Sequence, residues 1–377
     1  MLAVEVAEVL AMHQLHDAEV AQRLLYHLAR AFGCPDVVYL AGPMRIQGGF
    51  DAAIFGFTLD RVPPPLVGPL ILRLSHADAD PGRVKLETVV QNTLAEMGFP
   101  APRVMVTESD PGILGGPFMV MTRLSGQTLA HGIERLGAGT SLVGQLQLLF
   151  NLPAVLARII DQWVDMQIRL HQLPSETLLR AVTPAGIDAG AITFEGQLAR
   201  LSTIVERSDL IGLKPGLTWL DDHRPPQARE AAICHGDFHP LNILADKNRP
   251  TGVIDWANAV IAEPAMDVGS AIANMTAVPL PLPWALRVPA HAIIGAALRR
   301  YERTYRALRP LDDRAVRYYQ VFRAVAQLVG VGRARTTGRV GGGAFHSAAG
   351  VGNLIALVKK LSGVSVSLEH HMCLPQR

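Results

Sequence analysis

Residues 233–246 read "ICHGDFHPLNILAD" and continue as "KNRPTGVIDW" to residue 256. The first residues form an apolar run suited to a buried strand, and Pro240 ends any regular strand or helix there. "NILAD", the polar turn "KNRP" and "TGVIDW" then have the pattern of a β-hairpin, which predicts that Asp255 returns beside Asn242. Asp237, Asn242 and Asp255 would converge as three groups able to bind or orient around a divalent cation. Phosphoryl transfer uses such a set: one carboxylate to take the proton of an attacking hydroxyl, and oxygen ligands to hold Mg²⁺ on the phosphates.

His235, Asp237, Asn242 and Asp255 also stand, in order, where the protein-kinase catalytic loop has H-R-D-L-x-x-x-N followed by a metal-binding aspartate. More narrowly, "HGDFHPLNIL" with "VIDWANAVIAEPAMDVG" resembles the aminoglycoside phosphotransferase and choline kinase-like family, whose forms are close to HGDxxxxN and IDWE followed by a second Asp. The resemblance implies Asp237 as catalytic base, Asn242 and Asp255 as Mg²⁺ ligands, and His235 and Asp267 as structural supports of the loop. His239 stands where many protein kinases have a phosphate-contacting lysine; donation to the transferring phosphate and a packing role both remain open.

The amino-terminal part extends the resemblance. Residues 5–31 have helical spacing of apolar residues. "VVYLAGPMRI", "FDAAIFGFTL", "PLILRLS", "PRVMVTE" and "PFMVMTRLSG" read as five antiparallel strands, with one helix in "DPGRVKLETVVQNTLAEMGF". In the family this lobe binds ATP through a glycine turn, a basic residue on the third strand and a helix glutamate. The matching residues are Gly48 and Gly49, Arg73, and Glu87. Met121, Thr122 and Arg123 match the connecting segment beside the adenine, "GFPAPRV" is similar to the family's "GVPVPRV", and "IRLHQLP" at 168–174 to a helix end before the catalytic loop. Two departures stand out: Asp51-Ala52 replaces the usual Ser-Asn near the phosphates, and Arg73 replaces lysine, with a different donor geometry.

The expected fold class is therefore α+β, a bilobal protein-kinase-like chain with a small antiparallel sheet lobe and a larger, mainly helical lobe. The expected divisions are a leading helix (1–34), a nucleotide-binding lobe (35–125), a helical lobe with catalytic loop and acceptor site (126–365) and a tail (366–377). The segment 338–352, "GRVGGGAFHSAAGVG", reads as a loop.

With 377 residues, 49% hydrophobic and 18% charged, the chain can bury a substantial core, and a formal charge of +2 gives no reason to expect nucleic acid as a partner. Cys34, Cys234 and Cys373 form no CxxC pair, so a disulfide scaffold or zinc ribbon is not indicated; a cytoplasmic setting fits. No apolar run reaches membrane-spanning length. Residues 281–360 hold fourteen Arg and Lys against three acids. Such a field would repel a polycationic aminoglycoside, so the expected acceptor is the hydroxyl of a neutral or anionic small molecule, bound near Arg299–Arg309 and Arg333–Arg339. Two other readings are weighed: a nucleotide-binding pseudokinase with a regulatory role, suggested by the altered glycine turn and Arg73, and a metal-dependent phosphoesterase, suggested by "HGDFH" but lacking its further ligand motifs. The oligomeric state is not legible.

Overall fold

The computed structural model describes residues 16–46, 52–131, 142–226, 230–247, 249–280, 284–338 and 343–368. Two compact units, Met1–Ser125 and Gly126–Arg377, divide the chain.

The first described element of the first unit is α1 (Asp17–Phe32), whose Val20, Leu24 and Leu28 share one buried face. The helix ends at Gly33, which takes the left-handed conformation and donates its N–H to Ala29 O. Strands β1 (Val38–Ile46), β2 (Ala52–Asp60) and β3 (Pro69–Ser75) follow. Helix α2 (Pro81–Glu96) has Asp80 as its cap, accepting from Gly82 N at 2.9 Å, and Pro81 in its first turn. Strands β4 (Val104–Glu108) and β5 (Phe118–Thr122) complete an antiparallel sheet in the order β1-β2-β3-β5-β4.

Strand alternation decides which residues meet which helix. Phe55, Phe57, Leu70, Leu72, Phe118 and Val120 pack with Leu24 and Leu28 of α1. Their neighbours of opposite parity, Ile71, Met119 and Met121, pack with Val84 of α2. Arg73 has the parity of Ile71, so the sheet presents it to the α2 side. Each fully buried leucine contributes about 1.5–3 kcal/mol, and the two-sided core makes the register of β3 hard to shift.

The second unit begins with β6 (Gln127–Thr128), α3 (Leu142–His171), α4 (Ser175–Val182), α5 (Phe194–Arg207) and α6 (Lys214–Asp222). Strand β7 (Ala232–Cys234) pairs with β10 (Val260–Ala262), and the hairpin β8 (Ile243–Asp246) and β9 (Arg249–Val253) is extended by β6. Helices α7 (Ala265–Ala277), α8 (Trp284–Leu308), α9 (Asp313–Thr336) and α10 (Ala348–Ser362) finish the unit. The core joins Met266 and Ala273 of α7, Phe322 and Val325 of α9 and Leu354 and Val358 of α10. Gly269 permits the α7–α9 approach, because a Cβ there would lie 2.7 Å from Val316 O and 2.8 Å from Tyr319 Cβ.

The segment expected as a loop over 338–352 is only partly one: α10 starts at Ala348, where Ser347 Oγ accepts from Gly350 N at 3.0 Å. A serine cap overrides the glycine-rich composition. Gly48, Gly49 and Asp51 lie outside the described residues. No helix among the described residues is long and apolar enough to cross a membrane.

Candidate active site

Strand β7 delivers the chain into the loop His235–Asn242, and buried groups hold that loop. Asp267, at the start of α7 and fully buried, accepts from the backbone N–H of Gly236 through Oδ1 (2.6 Å) and from that of His235 through Oδ2 (2.9 Å). His171, at the end of α3, also meets Asp267 Oδ2 at 3.0 Å, while Tyr305 OH lies 2.7 Å from its Nδ1. Trp163 Nε1 donates to Phe238 O at 3.2 Å. Gly236 has φ 77°, and a Cβ there would sit 2.2 Å from Asn258 O, so no other residue fits without moving the backbone.

His235 is wholly buried. Its Nδ1 accepts from Asp237 N at 3.2 Å, which leaves Nε2 as the protonated nitrogen, donating to Ile254 O at 2.9 Å. Burial pushes its pKa down, consistent with this neutral tautomer. His235 thus joins the loop to the end of the hairpin as a neutral strut.

The hairpin forms with Ile243 opposite Val253 and Leu244 opposite Gly252, and Ile254 N donates to Asn242 O at 2.9 Å. This backbone bond brings Asp255 next to the Asn242 end of the loop. Asn242 N donates to His239 O at 2.9 Å, and Asn242 Nδ2 donates to Asp237 O at 3.0 Å, so its side-chain carbonyl is turned away from those contacts. Asp255 is held with φ 67° and ψ 64°, a left-handed conformation that an aspartate tolerates at a cost of order 1 kcal/mol or more. An amide oxygen and a carboxylate are the hard oxygen donors that suit Mg²⁺, so the residues present fit that ion.

The side chain of Asp237 is 16% exposed. Its Oδ1 accepts from Asn274 Nδ2 of α7 at 2.7 Å and forms an ion pair at 2.7 Å with Arg323 Nη2 of α9. His239 Nε2 lies 3.4 Å from the same oxygen, and His239 Nδ1 is buried without a partner among the described residues. Burial by itself would raise the Asp237 carboxyl; the Arg323 guanidinium, with His239 beside it, outweighs this and holds the group well below the usual carboxylate range.

Sequence reading placed the arginines near the acceptor at 299–309 and 333–339. Among these, Arg300 pairs with Asp161, Arg306 with Glu302 and Asp313, and Arg309 with Glu230 and His171 O. Apart from the Arg306–Glu302 pair within α8, these contacts tie α8 and the residue after it to neighbouring segments. Among the described residues the arginine that reaches the loop is Arg323, which sequence reading missed. Its signal was an arginine inside the apolar run "YYQVFRAVAQLVG", where an unpaired charge would be too costly to bury.

In the sheet unit Arg73 Nη1 meets Glu87 Oε2 at 2.5 Å, and Gln91 Nε2 donates to Glu87 Oε1 at 3.3 Å. Met121, Thr122 and Arg123 end β5. The N–H of Thr122 donates to Arg103 O and that of Arg123 to Pro69 O, both at 2.9 Å, so those two donors are engaged within the sheet unit. The guanidinium of Arg123 crosses Gly56, whose missing side chain leaves it room. Cys234 is buried, with Sγ 3.4 Å from Glu263 O, and burial pushes its thiol pKa up, so it is an inert core residue.

Acyl-CoA dehydrogenase family member 11 of Homo sapiens is 24% identical over 277 residues, covering 70% of this chain and 32% of the human protein. The protein of the same name in Gallus gallus is 25% identical over 194 residues, covering 50% of this chain and 22% of its own length. The chain thus spans about a third or less of these relatives. Among solved structures, a thermostable mutant of aminoglycoside phosphotransferase APH(4)-Ia, in ternary complex with AMP-PNP and hygromycin B, superposes with a TM-score of 0.54 at 18% identity, covering 90% of this chain and 99% of the other. The fold is the protein-kinase-like one of that enzyme. The model of the phosphotransferase enzyme family matches residues 44–311, well over half of the sequence, and the chain belongs to that family.

Proposed function

We propose that this chain transfers the γ-phosphoryl group of ATP to a hydroxyl of a small neutral or anionic molecule. The observation that carries the reading is the hydrogen-bonded frame from His235 to Asp255. Asn242 Nδ2 binds Asp237 O, and Ile254 N binds Asn242 O, so candidate base and candidate metal ligands belong to one rigid piece of backbone. In the reaction the acceptor oxygen bonds to the γ-phosphorus as the bond to the β–γ bridging oxygen breaks. ADP leaves with that oxygen, and the hydroxyl proton passes to Asp237. Mg²⁺, held by Asn242 and Asp255, would neutralise charge on the phosphate oxygens. Arg73, kept in place by Glu87, is the candidate phosphate contact in the sheet unit. His239 contributes through its approach to Asp237. A cytoplasmic setting fits Cys34 and Cys234, both free thiols.

The acceptor class rests on the surplus of fourteen basic residues over three acids across 281–360, and on Arg323 standing at the base. Both disfavour a polycation such as the hygromycin B bound by the related structure. The test is ADP release with Mg²⁺ and ATP across a panel of sugars, polyols and hydroxy acids, with hygromycin B and kanamycin alongside. Turnover of a neutral or anionic compound with kcat/KM well above either aminoglycoside is expected. The reverse order would overturn the acceptor assignment, and tight nucleotide binding with no transfer to any compound would return the regulatory reading.

A further inference from the structure

Resting on the phosphotransferase reading, we propose that Arg323 and Asn274 are positioning residues that lock one oxygen of Asp237, Oδ1, so that Oδ2 is the oxygen presented to the acceptor hydroxyl. Three contacts close a ring. Asn274 Nδ2 donates to Asp237 Oδ1 at 2.7 Å, Arg323 Nε donates to Asn274 Oδ1 at 3.1 Å, and Arg323 Nη2 pairs with Asp237 Oδ1 at 2.7 Å. Gln327 Nε2 adds a second donor to Asn274 Oδ1 at 3.3 Å. Because Arg323 and Gln327 side-chain nitrogens only donate here, Asn274 must turn its oxygen to them and its NH₂ to Asp237. The amide therefore has one orientation, and so does the carboxylate it holds.

The ring is built from rigid, buried parts. Asn274 is 5% and Arg323 8% exposed, on the two helices that Gly269 lets approach closely. Oδ2 accepts no hydrogen bond among the described residues, while Oδ1 receives every contact made to the carboxylate. A carboxylate free to rotate about its last bond would present either oxygen and lose the alignment that in-line attack needs. The guanidinium has a second effect. It balances the charge of Asp237, so an acceptor meets a nearly neutral pair instead of a bare carboxylate. Removing it leaves an uncompensated anion that attracts a cationic neighbour of the reacting hydroxyl.

The experiment compares wild type with Arg323→Gln, Arg323→Lys and Asn274→Ala. Glycerol and its amino analogue 2-amino-1,3-propanediol serve as acceptor probes at high concentration, and water is the background acceptor. Each protein is also tested for the rise in unfolding midpoint that Mg²⁺ and ATP produce. Arg323→Gln and Asn274→Ala should lose kcat by on the order of 10²-fold with KM for ATP unchanged, the cost of a misaligned reacting group. Arg323→Lys, which keeps the charge but not the fork, should lie between them and wild type. Arg323→Gln should also shift preference from glycerol toward the amino analogue, a change that a merely structural arginine would not produce. Wild-type kcat in Arg323→Gln and Asn274→Ala would overturn the positioning role alone. So would loss of the nucleotide-induced midpoint shift in step with turnover, since that reports a collapsed site. A wild-type protein with neither midpoint shift nor turnover would remove the phosphotransferase reading itself, and the role with it.

Discussion

Arg73–Glu87 in the sheet unit and Arg323–Asp237 in the helical unit are both short guanidinium–carboxylate pairs, 2.5 and 2.7 Å, with little exposure. Their carboxylates differ. Glu87 has both oxygens engaged, one by Arg73 and one by Gln91, at 4% exposure. Asp237 has all its contacts among the described residues on one oxygen. A fully engaged carboxylate anchors an arginine, whereas a half-engaged one is held but keeps an oxygen for chemistry. The first pair therefore suits ligand holding, and the second suits the transfer step.

The strongest way to break this contrast is to neutralise each acid. Asp237→Asn removes the proposed proton acceptor, and turnover should fall by about 10²–10⁴-fold with nucleotide binding retained. Glu87→Gln should instead raise KM for ATP by roughly tenfold, the loss of one charge-assisted contact, with a smaller change in kcat. Steady-state kinetics on both variants decide the matter; equal kcat losses would erase the distinction.

Asp267 sharpens the comparison as a third buried carboxylate whose partners are all structural. Asp267→Ala strands the N–H groups of His235 and Gly236 and leaves His171 without its acceptor. A loss of about 3 kcal/mol or more is expected in urea unfolding, visible as a lower midpoint at constant slope.

His235 supplies a pH signature. Its folded pKa lies below the ordinary 6.5, so the unfolded chain takes up a proton that the folded chain resists. Its contribution is complete above that value and erodes as pH falls through it. The stability advantage of wild type over His235→Gln should narrow between about pH 7.5 and 5.5, the range that brackets an ordinary histidine pKa. An advantage that widened on acidification would contradict a neutral strut.

The smallest effect belongs to Arg224–Asp221, a pair with side chains about half exposed. Arg224→Ala should change unfolding free energy by less than about 0.5 kcal/mol.

The two pairs also differ in how far sequence discloses them. Arg73 and Glu87 are 14 residues apart, on a strand and the helix that follows it, so alternation on β3 and the order of elements suffice to bring them together. The approach of Asp237, Asn242 and Asp255 to one another was readable for the same reason, since one loop and hairpin connect them. Arg323 meets Asp237 across 86 positions, and that meeting depends on the α7–α9 approach at Gly269, a tertiary fact without local pattern. The arginines at 299–309 form a charge run in the sequence, yet Arg300 and Arg309 find their partners, Asp161 and Glu230, on remote segments that no spacing reveals. Composition misled at 348–352 because a single serine cap outweighs a glycine-rich stretch.

The most direct test of the phosphotransferase account is the unfolding midpoint with and without Mg²⁺ and ATP, measured for wild type and Asp255→Asn. Asparagine accepts the left-handed backbone at position 255, so the variant should fold while lacking the carboxylate. Wild type should rise with Mg²⁺ and ATP together, by the equivalent of about 2.7 kcal/mol at a hundredfold excess over Kd, and the variant should lose most of that rise. No rise in wild type, or an equal rise in both proteins, would contradict a Mg²⁺–nucleotide site at Asn242 and Asp255.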